Sequence, residues 1–579
     1  MKINFQNKIT IVSILFITQI SFAQKKDDNI GTEVVNVVKP YTPSISDAFK
    51  VKETPTLDDD DTSKKENIQY NIFSFPVAST FAPAKGKAAN VDKSPVEKIF
   101  SNYLTLAAGN YGAINAELFI TENISNTDYF GGMLRHSSSQ GGIKDVQLDD
   151  KFFNTALDLT YGSRTKVMSW NADLGYKNQV YNWYGIYPGL LSDATIATIN
   201  EQQTYHTLYL GGRLALGDSF LKESTIKFTR FWDAFRSAEN RFVAKPSMEF
   251  DIVEQKIKAD FVLDYIGGSF DQNFDKTASV KYGFTNVGFQ PSIKIHKDDL
   301  TVNIGAGFFY SAAQESGQSK FFIYPQVTGS YKIVDDLMIF YAGLEGTLHQ
   351  NSYNDFVQEN FFVSPTLGVG PTDQKYDIYA GLKGKLASSI SYNIRGSYKN
   401  EEGKALFKSN IYDHFNVNTD GYTFGNSFEV VYDKVKTLSF FGELKADFSK
   451  NVSFGINGTF SSYSTDAEKE AWNLPAIKLA TTLDVNITPK WYAGTSLFFV
   501  GERKDIFRQA TVVLPFPPDE DITLKSYFDL NAHVGYKYSE RLSFFLKGNN
   551  LANQNYQKWL NYPVQGLQVL IGGNYKFDF

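Results

Sequence analysis

Over its last twelve residues the chain alternates: Val569, Ile571, Gly573, Tyr575, Phe577 and Phe579 share one face, and Gln568, Leu570, Gly572, Asn574, Lys576 and Asp578 the other. A period of two predicts an extended strand with one apolar and one polar face. The pattern recurs upstream. Ile477, Leu479, Thr481, Leu483, Val485 and Ile487 oppose Lys478, Ala480, Thr482, Asp484 and Asn486; further on, Phe528, Leu530, Ala532, Val534, Tyr536 and Tyr538 oppose Asp529, Asn531, His533, Gly535 and Lys537. Tyr and Trp gather at the ends of such stretches, where an interfacial aromatic girdle would sit.

The connections supply a second pattern. Short turns are expected near Thr121–Asn126, Ser163–Lys166, Leu216–Leu221, Val253–Gln255, His296–Leu300, Ile333–Leu337, Ala387–Ser391, Asp447–Asn451, Asn486–Lys490 and Tyr538–Leu542. Mostly longer connections fall between them, near Ser137–Lys151, Val180–Gln202, Gln350–Gln374, Asn400–Asn426, Ser464–Leu474, Gly501–Thr523 and Asn553–Gln565. From a first strand near Phe100–Ala108 this predicts an all-β fold, a transmembrane antiparallel β-barrel of about 22 strands over residues 99–579. Short turns on one side and long loops on the other are the habit of bacterial outer-membrane barrels.

Composition and the chain start agree with that class. No cysteine is present, whereas Tyr, Phe and Gly number 34, 49 and 43. Residues 1–23 carry Lys2 and Lys8, an apolar run from Ile9 to Ile17 and the small-residue pattern Ser21-Phe22-Ala23, which reads as a secretory signal peptide. No other apolar run approaches the roughly 20 residues of a membrane helix, so a membrane-spanning chain of this kind must be a barrel. Residues 24–98 are rich in charge and proline and predict a mostly irregular segment, periplasmic or luminal. The formal net charge of -6 gives no reason to expect nucleic acid.

The C-terminal block names a resemblance. Gly548-Asn549-Asn550-Leu551-Ala552-Asn553-Gln554-Asn555-Tyr556, then Tyr562-Pro563-Val564-Gln565-Gly566 and the Gly573-Tyr575-Phe577 ending, resemble the last strands of TonB-dependent receptors, with Leu567 where that family usually has Arg. The resemblance implies an outer-membrane location in a Gram-negative-type bacterium. It also implies outer-membrane lipid as surroundings, the barrel-assembly machinery as a partner during biogenesis, and Tyr575, Phe577 and Phe579 as the assembly signal. It further implies a folded plug of well over a hundred residues, yet only about 75 residues lie between the signal and the first strand, and their composition does not suit one. A barrel this wide is normally plugged, so the expectation is that residues 24–98 and the long loops close it.

Glu33, Val34, Val35, Asn36, Val37 and Val38 resemble a TonB box, a short strand added to a partner's sheet; packing against the barrel wall or a partner is the competing expectation. TonB and a surface lipoprotein are the partners the resemblance suggests.

The chain carries no enzyme signature. Its six His (His136, His206, His296, His349, His414, His533) show no metal-ligand spacing, there is no Ser-centred nucleophile elbow, and no cofactor is expected. Asp145, Asp149 and Asp150, and Asp519-Glu520-Asp521, match no calcium loop and read as solvated loop charge. Tyr181, Trp183, Tyr184 and Tyr187 are candidates for stacking on a sugar, docking a protein or packing a loop. Two function classes stay open: passage of a nutrient across the outer membrane, and a plug-less structural or interaction subunit of a larger assembly.

Overall fold

The computed structural model describes residues 99–252, 255–510 and 518–579. Among these, 22 strands form one antiparallel sheet that closes on itself. The strands are numbered along the chain from β1 (Asn102–Gly109) to β22 (Gln568–Phe577). Closure is the pairing of first with last, Asn102 opposite Phe577 through Gly109 opposite Leu570. Nine of the ten expected short turns are found, each linking two neighbouring strands; the tenth falls at Val253 and Glu254, which lie outside the described residues.

Alternation decides which way each side chain points. Leu134, Leu157, Leu174, Leu210, Ile226, Leu263, Ile304, Ile394, Leu546 and Ile571 are exposed on the outer wall. An apolar surface so extended is built for lipid; monomers in water rarely expose more than a few hundred Å² of contiguous apolar patch. Near the short turns, outward rings pair across strands, Trp491 with Tyr536 at 4.9 Å and Tyr161 with Trp170 at 5.8 Å between centroids. These are girdle positions.

The inner face is polar and hydrogen-bonded wall to wall. Arg135 meets Asp158 at 2.7 Å, Tyr209 donates to Asp158 at 2.6 Å, and Arg395 meets Asp377 at 2.8 Å. Asp484, Gly494 and His533 lie side by side on this face, as the alternation predicts.

Several strands outrun the membrane at the long-loop end. β15 (Ile390–Ser409) and β16 (Phe428–Ser449) pair over most of their 20 and 22 residues, up to Ser409 opposite Phe428. The sequence pattern ends β15 near Asn400. The cause is a bulge between Glu401 and Lys404 that exchanges the two faces.

The C-terminal strand provides a test of the two faces. Ile571 points outward midway along β22, whereas Ser543, on the preceding strand β21 (Leu542–Asn549), lines the lumen. Charge at the bilayer midplane costs roughly 2–4 kcal/mol. Ile571→Lys is therefore expected to block folding, and Ser543→Lys to leave it intact, as read by heat-modifiable migration on a gel; equal behaviour of the two variants would contradict the assigned faces.

Candidate functional site

The lumen is capped at the long-loop end by the chain's own loops. Their shared core contains Tyr205, Phe231, Ile266, Phe270 and Tyr282 from the wall, Phe407, Phe428 and Val430 from β15 and β16, and Tyr353, Phe356, Val357, Trp559 and Tyr562 from loops. Aromatic rings dominate because they cover the most area per ordered residue and interlock edge to face. Phe362 stacks on Tyr562 at 3.6 Å, and Tyr184 meets Tyr562 edge-on at 4.8 Å.

The aromatic residues of the Val180–Gln202 region belong to this cap. Tyr181 stacks on Phe361 at 3.8 Å, Tyr187 on Phe507 at 4.0 Å, and the fully buried Trp183 packs against Phe235 and Tyr422. Loop packing is thus what they do in this structure. The acidic loop residues also have structural work: Asp150 accepts the backbone N–H groups of Gly142 and Ile143 at 3.0 and 2.8 Å. No cluster of three metal-ligating side chains occurs among the described residues.

One loop forms a lid. Residues 351–370 join β13 (Met338–Gln350) to β14 (Pro371–Ala387) and contain a short helix, α2 (Tyr353–Glu359), α1 being the single turn Asp193–Ile196. Ser352 caps α2 by accepting from Asp355 N at 3.0 Å. The wall fastens this helix with three charged groups from β7 (Leu221–Asp233) and β8 (Ala238–Ile252). The carboxylate of Asp233 accepts the Tyr353 hydroxyl at 2.8 Å, and that of Glu239 accepts Tyr353 N and the Tyr282 hydroxyl, both at 2.7 Å. Arg241 forks onto Asp264 at 2.7 and 3.0 Å and reaches Asp355 at 3.0 Å. Asp233 and Glu239 are almost wholly buried.

A second polar knot ties three other loops together. Residues Arg503–Phe507 pair with Glu520–Leu524 outside the barrel sheet. Within the first of these strands Asp505 is fully buried and accepts Ser409 N at 3.0 Å, Ile506 N at 2.9 Å and the Asn473 amide at 2.8 Å. Arg503 donates to the carbonyls of Gln557, at 2.7 Å, and Lys558. Sequence reasoning missed this knot and the lid contacts, because the partners that join separate segments lie up to 120 residues apart.

Below the cap, cavities line the luminal wall toward the short-turn end. One, of about 1280 Å³, is lined by residues including Asp447, Lys450, Asp484, His533, Lys537 and Lys576. Two of about 500 Å³ lie against the walls.

This barrel can be set beside solved structures. It is similar to the FrpB iron transporter from Neisseria meningitidis, with TM-score 0.64 at 10% identity over 83% of this chain and 82% of that one. It is similar also to the siderophore receptor PirA from Acinetobacter baumannii, with TM-score 0.60 at 12% identity over 84% and 81%. The ferric-catecholate import receptor Fiu from E. coli gives 0.58 at 10% over 84% and 82%. The fold is that of the TonB-dependent receptor barrel. No family model and no curated protein matches the chain. The fold expected from the C-terminal block is thereby borne out.

The residues singled out in the sequence divide by place. Tyr575, Phe577 and Phe579 lie on or just beyond β22, with ring centroids 6.0 Å apart for the first pair and 5.5 Å for the second. Glu33 to Val38, and the whole segment 24–98, lie outside the described residues.

Burial pushes the Asp505 carboxyl up to about 6, against the pull of its hydrogen-bond donors and Arg508. The folded chain therefore binds this proton more tightly than the unfolded chain does, near 3.8. The stability Asp505 contributes is complete below the unfolded value and is lost as pH rises through about 6. Fluorescence of the buried Trp472, next to Asn473, is expected to report a looser cap at pH 7.5 than at pH 4.5. Asp505→Asn should flatten that difference, and an unchanged pH profile in the variant would remove Asp505 as its source.

Proposed function

We propose that this chain serves passage of a nutrient across the outer membrane, through a TonB-receptor-like barrel whose entrance is gated by its own loops. The observation that carries this reading is the pairing of a wet, polar lumen with a lid held to the wall by charged contacts: Asp233 and Glu239 on Tyr353, and Arg241 on Asp355. Such contacts regain water when the lid lifts, which offsets part of the cost of opening. Solved structures of similar fold include an iron transporter, a siderophore receptor and an import receptor, which supports uptake as the general class. TonB at residues Glu33 to Val38, and a surface lipoprotein over the cap, are the partners this reading would use.

A second reading keeps its own observation. The cap core joins loops from all round the ring into one aromatic cluster, which suits a sealed anchor or interaction subunit of a larger outer-membrane assembly.

Conductance separates the two. Each hydrogen bond to a buried charged group contributes about 1.5–3 kcal/mol, and Glu239→Ala removes bonds to both Tyr353 and Tyr282. In planar bilayers the parent chain is expected to be nearly silent, and Asp233→Ala with Glu239→Ala to give frequent openings. If the folded double variant stays as silent as the parent, the cap is static and the anchor reading replaces the gate.

A further inference from the structure

Among the described residues the buried carboxylates are those of Asp233, Glu239, Asp264, Glu401, Asp433 and Asp505. Asp264 pairs with Arg241 at 2.7 Å and Glu401 with Lys404 at 2.6 Å, while Asp433 and Asp505 hold backbone N–H groups of the cap loops. Asp233 and Glu239 differ from these. Among the described residues no lysine, arginine or histidine pairs with either, and both take hydrogen bonds from the lid as well as from the wall.

The strand register sets Glu239 where the lid lands. Glu239, the second residue of β8, is opposite Gly268 on β9 (Gln255–Phe270), and Gly268 is opposite Tyr282 on β10 (Val280–Lys297). A Cβ at Gly268 would come within 2.3 Å of the Tyr282 ring, so the bare glycine lets that ring cross to Glu239. The Glu239 carboxylate then accepts from the Tyr282 hydroxyl and Tyr353 N, both at 2.7 Å, and from Asn354 N at 3.4 Å. Two of these three donors belong to the lid. Asp233 closes β7 and accepts the Tyr353 hydroxyl at 2.8 Å, with Phe235 N and Ser237 N at 2.9 and 2.8 Å. Both carboxylates lie at the long-loop ends of their strands, above the apolar band, where the outward neighbours are Arg230 and Asn240, bonded at 3.0 Å.

The surrounding charges do not relieve this pair. Asp264 on β9 and Asp355 on the lid take up the guanidinium of Arg241, so four carboxylates, with Asp233 and Glu239, share that one cation. His349 on β13 lies beside Asp355 and Arg241, and burial disfavours its charged form; Glu401 beyond it is held by Lys404. The remaining neighbours are phenols, Tyr205 on β6 (Gln202–Leu216), Tyr282, Tyr353 and Tyr432 on β16. Burial without a cation favours the proton on a carboxyl group. It pushes Glu239 up to about 7 against the pull of its three donors, and Asp233 upward as well. Lifting the lid removes Tyr353 N and Asn354 N and admits water, which returns the Glu239 carboxyl toward its ordinary value of 4.5. The closed lid thus binds a proton that the open lid gives up. Its contribution to closure is complete below the ordinary value and is lost as pH rises through about 7.

We infer that Asp233 and Glu239 form a proton-operated latch, which holds residues 351–370 against the wall when the two carboxyls are protonated and releases them when the carboxyls ionise. The inference deepens the proposed passage function by giving its gate a regulator, the acidity of the medium, and rests on that reading for the consequence of release. Release itself is measurable whether or not it lets ions through.

The test uses the full mature chain in lipid nanodiscs and follows hydrogen exchange of residues 351–370 by mass spectrometry at pH 5 and pH 8. Rates are divided by those of the unfolded chain at the same pH, which removes the intrinsic pH dependence of exchange. The corrected rate is expected to rise at least about tenfold between the two, within the limit set by a closed value of about 7 and an open value of 4.5. Asp233→Asn with Glu239→Gln, neutral side chains of the same shape, should flatten the rise. Asp505→Asn should keep it, because the knot around Asp505 includes none of the lid. No rise in the parent, a rise surviving in the neutral double variant, or its loss in Asp505→Asn would each overturn the latch. Heat-modifiable migration confirms folding. Where the double variant does not fold, Tyr282→Phe replaces it: loss of a donor to the Glu239 carboxylate should move the midpoint of the rise to higher pH, and an unmoved midpoint would overturn the latch. Conductance in planar bilayers separates the two claims, since a lid that loosens with pH in a chain that stays silent overturns the gate and leaves the latch standing.

Discussion

Closure of the ring is the constraint from which the rest follows. Inside a bilayer no water is available to an unpaired backbone group, so a sheet with a free edge cannot span it. β1 and β22 meet that demand along eight residue pairs, from Asn102 with Phe577 to Gly109 with Leu570. Once the ring is closed, the number of strands fixes its width, and 22 strands leave a bore too wide for wall side chains to fill. Strand alternation then makes the outer wall apolar and the inner wall polar, and the bore wet. Whatever closes that bore must come from material outside the wall strands, and at the long-loop end it comes from the loops.

Those loops solve a problem that strands do not have. Irregular backbone carries donors and acceptors with no ladder to satisfy them, and burying them unpaired would cost more than the packing gains. The cap therefore places polar side chains where backbone runs out of partners. Asp505 takes two backbone N–H groups, Asn426 donates to the carbonyls of Trp183 and Gly421 at 2.7 and 2.8 Å, and Arg503 gathers two carbonyls of another loop. Each of these reaches at least one segment distant in sequence. The loops consequently hold one another, and the aromatic cluster fills what the polar contacts frame.

This division explains what could be read from the sequence. The wall was legible because lipid outside and water inside impose a strict two-residue period, and because tight turns leave little freedom in where strands end. β15 beyond Asn400 was not: there the bulge at Glu401 to Lys404 reverses the faces, and outside the membrane zone the outward side no longer has to be apolar. The cap was illegible for a different reason. Trp183, Asn473 and Asp505 gain their roles from partners far along the chain, and no local period records such a contact.

The lid differs from the remainder of the cap in what holds it. Its helix is fastened chiefly by the wall: Asp233 and Glu239 take its first residue, and Arg241 reaches Asp355 two residues on. The knot around Asp505 instead binds loop to loop and includes none of residues 351–370. Lifting the helix would thus leave that knot intact. The groups released would face a water-filled bore, where carboxylates and a guanidinium are rehydrated, whereas the apolar side chains Phe356 and Val357 would lose their cover. The balance between a gate and a stopper in this barrel is therefore set by both sets of contacts: the charged ones, whose loss water offsets in part, and the apolar ones of residues 351–370, whose loss it does not.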